Sequence, residues 1–294
     1  MNNINTRRDF VKSLLGATTL LFVGNHLPLL ANHDYSVIGV EKLWNLAGEF
    51  EKQTNLPLNE LMFKIANKFI GTPYVGNTLE GSGGEMCRIN FEGLDCITFY
   101  ELVLCMARSF KKGDFDISSL VNEVTYVRYR GGVLDGYESR LHYTSDWIYD
   151  NVQKNVVKDI TKSLGGIKFE PKVGFMSSNP DKYAALKDNP KLVKIIKKFE
   201  DEINSRKHYF IPKDEVKSIE NELQNADIIA IVTSIKGLDY SHTGIISKSE
   251  NGDVHLFHAS TNQKKVIIDE PISEYLKKSK SATGISVIRP LEIK

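Results

Sequence analysis

The chain is poor in cysteine and nearly free of net charge, and its apolar runs are short. Each scarcity excludes something. A net charge of +1 over 294 residues leaves no global basic field for nucleic acid or an anionic membrane surface. Lysines gather between residues 182 and 217, but acids are interleaved with them, the pattern of a solvated helical surface. The apolar run at residues 14–23 is too short to span a bilayer. The three cysteines include no Cys-x-x-Cys pair, which argues against a zinc site, and no other metal or cofactor is implied. No internal repeat is visible. What remains is an ordinary globular composition, 41% hydrophobic and 26% charged, with enough chain for one large core.

The N-terminus carries a processing pattern. Arg7 and Arg8 precede Phe10, Lys12 and the short apolar run, a charged region before an apolar one, as in export signals. The paired arginines followed by Asp-Phe-Val-Lys resemble the signal read by the twin-arginine translocase. The expected division is a signal at 1–31 and a single domain at 32–294. The mature protein is then expected to be exported to the periplasm without a stable membrane span. No cysteine closes the apolar run, which speaks against lipid attachment.

The mature part changes character along its length. Apolar positions at helical spacing run through residues 58–70, from Cys96 to about residue 110, and from about 115 to 130. A glycine-rich loop, "TLEGSGGEMC", precedes a short extended piece at 88–91. Residues 171–225 are lysine-rich, with Leu192, Ile195, Ile196, Phe199 and Ile203 at helical spacing, and read as a helical insertion. Beyond Ala226 the period changes to short β-branched runs parted by turns such as Asn251-Gly252. Helices first and an antiparallel sheet afterwards make an α+β domain.

Chemistry points to "LDCITFYE". Cys96 stands where a helix begins, behind Asp95. On that helix Cys105 lies nine residues on, about 180° around and about 13.5 Å along, too far for a disulfide. A thiol at a helix N-terminus is favoured as thiolate by the unpaired amides and the helix dipole. Asp95 suits an N-cap. Of the seven histidines, His242, His255 and His258 fall in the strand-rich part. His242 can serve as base and His258 as the group that orients it. His255 has opposite strand parity from His258.

The stretches "GTPYVGNTLEG", "LDCITFYE", "NADIIAIVT", "SHTGI" and "LFHAS", in this order, resemble the NlpC/P60 superfamily of papain-like cysteine peptidases. "SRLHYTSDW", "IVTSIKGLDYSHTGI" and "TGISVIRP" resemble more specifically its DUF1460 branch, which is associated with N-acetylmuramoyl-L-alanine amidase activity. The resemblance implies a papain-like fold with N-terminal helices packed on a C-terminal antiparallel sheet. It implies Cys96 as nucleophile, His242 as base and His258 as orienting residue. Tyr74 would stand near the oxyanion, and Asp95, Arg140 and Trp147 on the substrate side. The implied partner is peptidoglycan or a muropeptide, cut at the bond between N-acetylmuramic acid and L-alanine. The alternatives are cleavage between γ-D-glutamyl and the diamino acid of the stem peptide, or a non-catalytic wall-binding protein. The pattern departs at Asn225-Ala226, where a glycine is usual, and at Tyr100, where a smaller residue is frequent.

Overall fold

The computed structural model describes residues 35–293; the expected signal at 1–31 lies outside them. Strand β1 (Tyr35–Ile38) pairs in parallel with β2 (Cys87–Asn90). Helices Glu41–Phe50, Leu58–Asn67, Cys96–Lys111 and Ile117–Arg128 make up the rest of the N-terminal part. The Cys96 helix is buried on every residue from Thr98 to Phe110. A helix enclosed all round is a central one. Leu61, Met62 and Ile65 of the preceding helix and Val124 and Val127 of the following one pack in the same core. Each such side chain contributes about 1.5–3 kcal/mol of burial.

The remaining strands are β3 (Val157–Asp159), β4 (Ile167–Phe169), β5 (His208–Pro212), β6 (Ile228–Thr233), β7 (Tyr240–Lys248), β8 (Val254–Ser260), β9 (Lys265–Pro271) and β10 (Ala282–Pro290). They form one antiparallel sheet in the order β4-β5-β10-β6-β7-β8-β9, with β3 also on β10. The run "IIAIVT" in β6 is buried throughout because both faces are covered. Ile228, Ala230 and Val232 meet the helical core, while Ile229 and Ile231 meet a second core with Leu256, Ile272 and Leu276. The Asn251-Gly252 turn joins β7 to β8, with Gly252 at φ +85°, a value glycine adopts freely.

The chain is therefore a mixed helix-and-sheet protein. The structure departs from the sequence reading in several places, and β1, β3 and β4 are strands that reading did not expect before Ala226. Segment 171–225 carries the expected helix, Pro190–Ser205, but also β5, which enters the sheet beside β10. The lysine-rich surroundings hide the short apolar run that makes this strand. A helix, Ile272–Lys278, also interrupts the run of C-terminal strands and covers the second core. All three cysteines are free, with Cys87 and Cys105 buried. Among the described residues no helix is long and apolar enough to cross a membrane, and no group of three or more His, Cys, Asp or Glu could hold a metal.

Candidate active site

Cys96 is the first residue of the central helix, and Asp95 caps it. Asp95 Oδ1 accepts from the amides of Ile97 at 3.0 Å and Thr98 at 2.7 Å, while the Asp95 amide donates to Thr98 Oγ1 at 2.9 Å. This reciprocal cap is worth about 1 kcal/mol. It also turns Asp95, grouped above with the substrate-side residues, into the helix end. The Cys96 amide is left outside the cap, on the residue that carries the sulfur. Thr243 Oγ1 donates to the Cys96 carbonyl at 2.9 Å, which fastens the helix start to β7 one residue past His242.

The thiol differs from the ionised one that the helix N-terminus suggested. Burial pushes it up to about 11, and the charge of Asp95 adds to that; hydrogen bonds from Thr243 and the Cys96 amide pull weakly the other way. Burial is the main reason, and the cap adds to it. The amides that would have stabilised a thiolate already hold a carboxylate, and that carboxylate sits one residue away.

Three strands supply the other half. His242 on β7, His258 on β8 and Asp269 on β9 form a line of hydrogen bonds. His242 Nε2 lies 2.5 Å from His258 Nδ1, and His258 Nε2 lies 3.1 Å from Asp269 Oδ2. An ionised carboxylate only accepts, so His258 donates through Nε2 and accepts through Nδ1. His242 then donates through Nε2, and its Nδ1 is the nitrogen left to accept a proton. Burial, with the His258 charge second, pulls His242 down to about 3. Burial also lowers His258, opposed by Asp269. Gly244 lets the two strands come this close: a Cβ there would meet the Phe257 carbonyl oxygen at 2.8 Å and His258 Cβ at 2.9 Å. His255 turns elsewhere, its Nδ1 2.9 Å from the Asp269 main-chain oxygen.

Cys96 and His242 line one cleft of about 330 Å³, together with Asp95, Arg140 and Trp147. Trp147 is buried, donates from Nε1 to Glu101 at 3.3 Å and meets the Tyr100 ring edge-on at 5.1 Å. Arg140 is on the wall, but its guanidinium is already engaged: it pairs with Glu80 and donates to the Leu79 carbonyl at 2.9 Å. It thereby ties down the glycine-rich loop. The cleft's other guanidinium, Arg128, pairs with Glu101 at 2.6 Å. Tyr74 is half-buried, close enough to Cys96 to feel its charge, but does not line this cleft. Burial, then the charges of Cys96 and Asp95, push its hydroxyl up to about 12, so it stays a proton donor. His258 is not in the cleft wall and reaches it through His242.

Sequence reasoning missed Asp269, Thr243 and Tyr275. Asp269 is one acid at the end of "KKVIIDE", and its alignment with His258 depends on a register shift between His255 and Phe257. Thr243 sits inside the "SHTGI" motif but has no signature of its own. Tyr275 lies on the helix that the strand pattern did not announce.

Over residues 64–285 the chain matches the family described as AmiA-like, N-acetylmuramoyl-L-alanine amidase-like. It is similar to the crystal structure of an N-acetylmuramoyl-L-alanine amidase from Bacteroides uniformis: 33% identity, 80% of this chain and 99% of that one, TM-score 0.76. A candidate xylanase from Bacteroides fragilis shares 36% identity over 77% of this chain and 99% of its own, at a TM-score of 0.72. A Legionella pneumophila protein of the DUF1460 family, 20% identical over 87% of this chain and 96% of its own, has a TM-score of 0.64; that likeness is one of fold. Among curated proteins nothing matches.

Proposed function

This chain belongs to the AmiA-like, N-acetylmuramoyl-L-alanine amidase-like family, and on that premise we propose that it is a cysteine amidase of the NlpC/P60 type. Its substrate is peptidoglycan or a muropeptide, cut between the lactyl carbonyl of N-acetylmuramic acid and L-alanine. The observation that carries the reading is the line Asp269–His258–His242, which leaves one accepting nitrogen on a residue that shares a cleft with Cys96. A helix bearing the cysteine against an antiparallel sheet bearing the histidines supports a papain-like arrangement. Residues 1–31 as a twin-arginine-type signal and a periplasmic mature protein complete the proposal.

At rest both reacting groups are neutral, so sulfur attack and proton transfer go together. As Cys96 Sγ bonds to the amide carbon, His242 Nδ1 takes the thiol proton and the carbonyl electrons move onto oxygen. The Cys96 amide and the Tyr74 hydroxyl are the donors for that oxyanion. Collapse breaks the C–N bond, and the L-alanyl nitrogen leaves with the proton from His242. Water then attacks the thioester, giving a proton to His242, which returns it to the departing sulfur. The products are the free lactyl carboxylate and a stem peptide with a free amine.

The charge pattern of the cleft favours the sugar-proximal bond. Stem-peptide cleavage brings several carboxylates into the site, whereas the two guanidiniums of the wall already hold Glu101 and Glu80. Glycoside hydrolysis, suggested by the Bacteroides fragilis relative, needs two unengaged carboxyl groups. Glu80 and Glu101 are ion-paired, and Asp95 and Asp239 accept main-chain amides. Digestion of muropeptides followed by mass spectrometry tests the reading. The native protein should free the sugar from an intact stem peptide, and Cys96→Ala should release nothing. Turnover by Cys96→Ala, or cleavage within the peptide, overturns it.

A further inference from the structure

We propose that Tyr275 is a positioning residue for the imidazole pair: its ring covers His242 and His258, keeps water off their shared hydrogen bond, and so holds His242 in the tautomer that can accept a proton. The inference rests on His242 acting as the base. Tyr275 belongs to helix Ile272–Lys278, which is anchored by the fully buried Ile272 and Leu276 in the second core. Between those anchors the Tyr275 ring is half-buried. It lies 6.4 Å from the His242 ring at an interplanar angle of 26°, and 5.4 Å from the His258 ring at 83°. The two imidazoles are themselves nearly perpendicular, at 4.8 Å and 89°. One aromatic ring thus lies nearly parallel to one imidazole and edge-on to the other, which fills the angle between them.

The groups facing the pair come from two more elements. They are Asp269 and Glu270 on β9, and Cys96 with Asp95 at the start of the central helix. Glu270 is neutralised by Lys278, on the same helix as Tyr275. Asp269 alone raises His242 against the burial that lowers it. Burial, then the charges of Asp269, Cys96 and Glu270, push the Tyr275 hydroxyl up to about 12, so the cover remains uncharged at neutral pH. A water admitted in its place would offer each imidazole a competing partner and would favour a protonated ring.

The test is an NMR titration of the His242 ring, assigned by its loss in His242→Gln, in the native protein, Tyr275→Phe and Tyr275→Ala. Removing the ring should move the His242 midpoint upward by about one pH unit or more. The acid limb of kcat/KM should move with it, while KM changes little. Tyr275→Phe, which keeps the ring, should titrate like the native protein. An unmoved midpoint in Tyr275→Ala overturns the proposal, and so does a shift in Tyr275→Phe as large as in the alanine variant. Should Tyr275→Ala not fold, Tyr275→Gln takes its place, with the same two outcomes. The titration needs no substrate, so it decides the role of Tyr275 even where the Cys96→Ala digestion overturns the amidase reading.

Discussion

The two ends of the site are made in opposite ways and respond oppositely to one environment. The cysteine end is local: Asp95, Cys96 and Thr98 are within three residues of one another, and hydrogen bonds of 2.7–3.0 Å hold the turn. The imidazole end is assembled across sheet strands, with partners 16 and 11 residues apart. Burial acts on both. It raises the acid, Cys96, to about 11 and lowers the base, His242, to about 3, because in each case the neutral form is favoured. The lesson is that the helix terminus does not ionise the sulfur by itself. On the proposed mechanism, deprotonation waits for a carbonyl carbon that can take the sulfur's electrons.

The largest effect that could break this comparison is at the base. His242→Ala should lower kcat/KM on muropeptides by about 10³-fold or more; a smaller loss means another group takes the proton. Next comes the end of the relay. Asp269→Asn should cost about 10²-fold, because an amide can donate to His258 and thereby reverse the tautomers of both rings. Unchanged activity there would separate Asp269 from the chemistry. On the proposed mechanism Tyr74→Phe removes one oxyanion donor, and it should lower kcat by about tenfold or more with KM nearly constant.

The smallest effect sharpens the cysteine end. A raised acid gains its anion as pH rises, so iodoacetamide labelling of Cys96 should grow about tenfold per pH unit from pH 7 toward about 11. Asp95→Asn keeps a capping side chain but removes the negative charge. It should speed labelling at pH 7 by about three- to tenfold and change unfolding stability by less than about 1 kcal/mol. Labelling that already levels off near neutral pH would show an ionised thiol and reverse the comparison.

The features legible in the sequence are those set by neighbours in the chain. A break at Gly93 and Asp95 followed by sixteen helical residues marks the start at Cys96, and Asn251-Gly252 marks the turn between β7 and β8. His242 and His258 emerge from their strands and from motif order. Asp269 does not, because a register shift beside His255 sets its alignment. Arg140 is expected on the substrate side and does line the cleft, but its pairing with Glu80, 60 residues away in sequence, is not legible. Strand β5 is lost among lysines for a related reason: its apolar side chains matter only once β10 is beside them.

By itself the sequence determined the helical first part, the strand-rich last quarter and the capped turn that presents Cys96. These follow from backbone sterics and hydrogen bonds a few residues long. Tertiary structure alone decided the protonation states of the pair, the tautomer of His242 and the company of Asp269 and Tyr275. Each depends on which distant groups exclude water from a buried atom, and desolvation is a property of the packed volume that no short stretch of chain encodes.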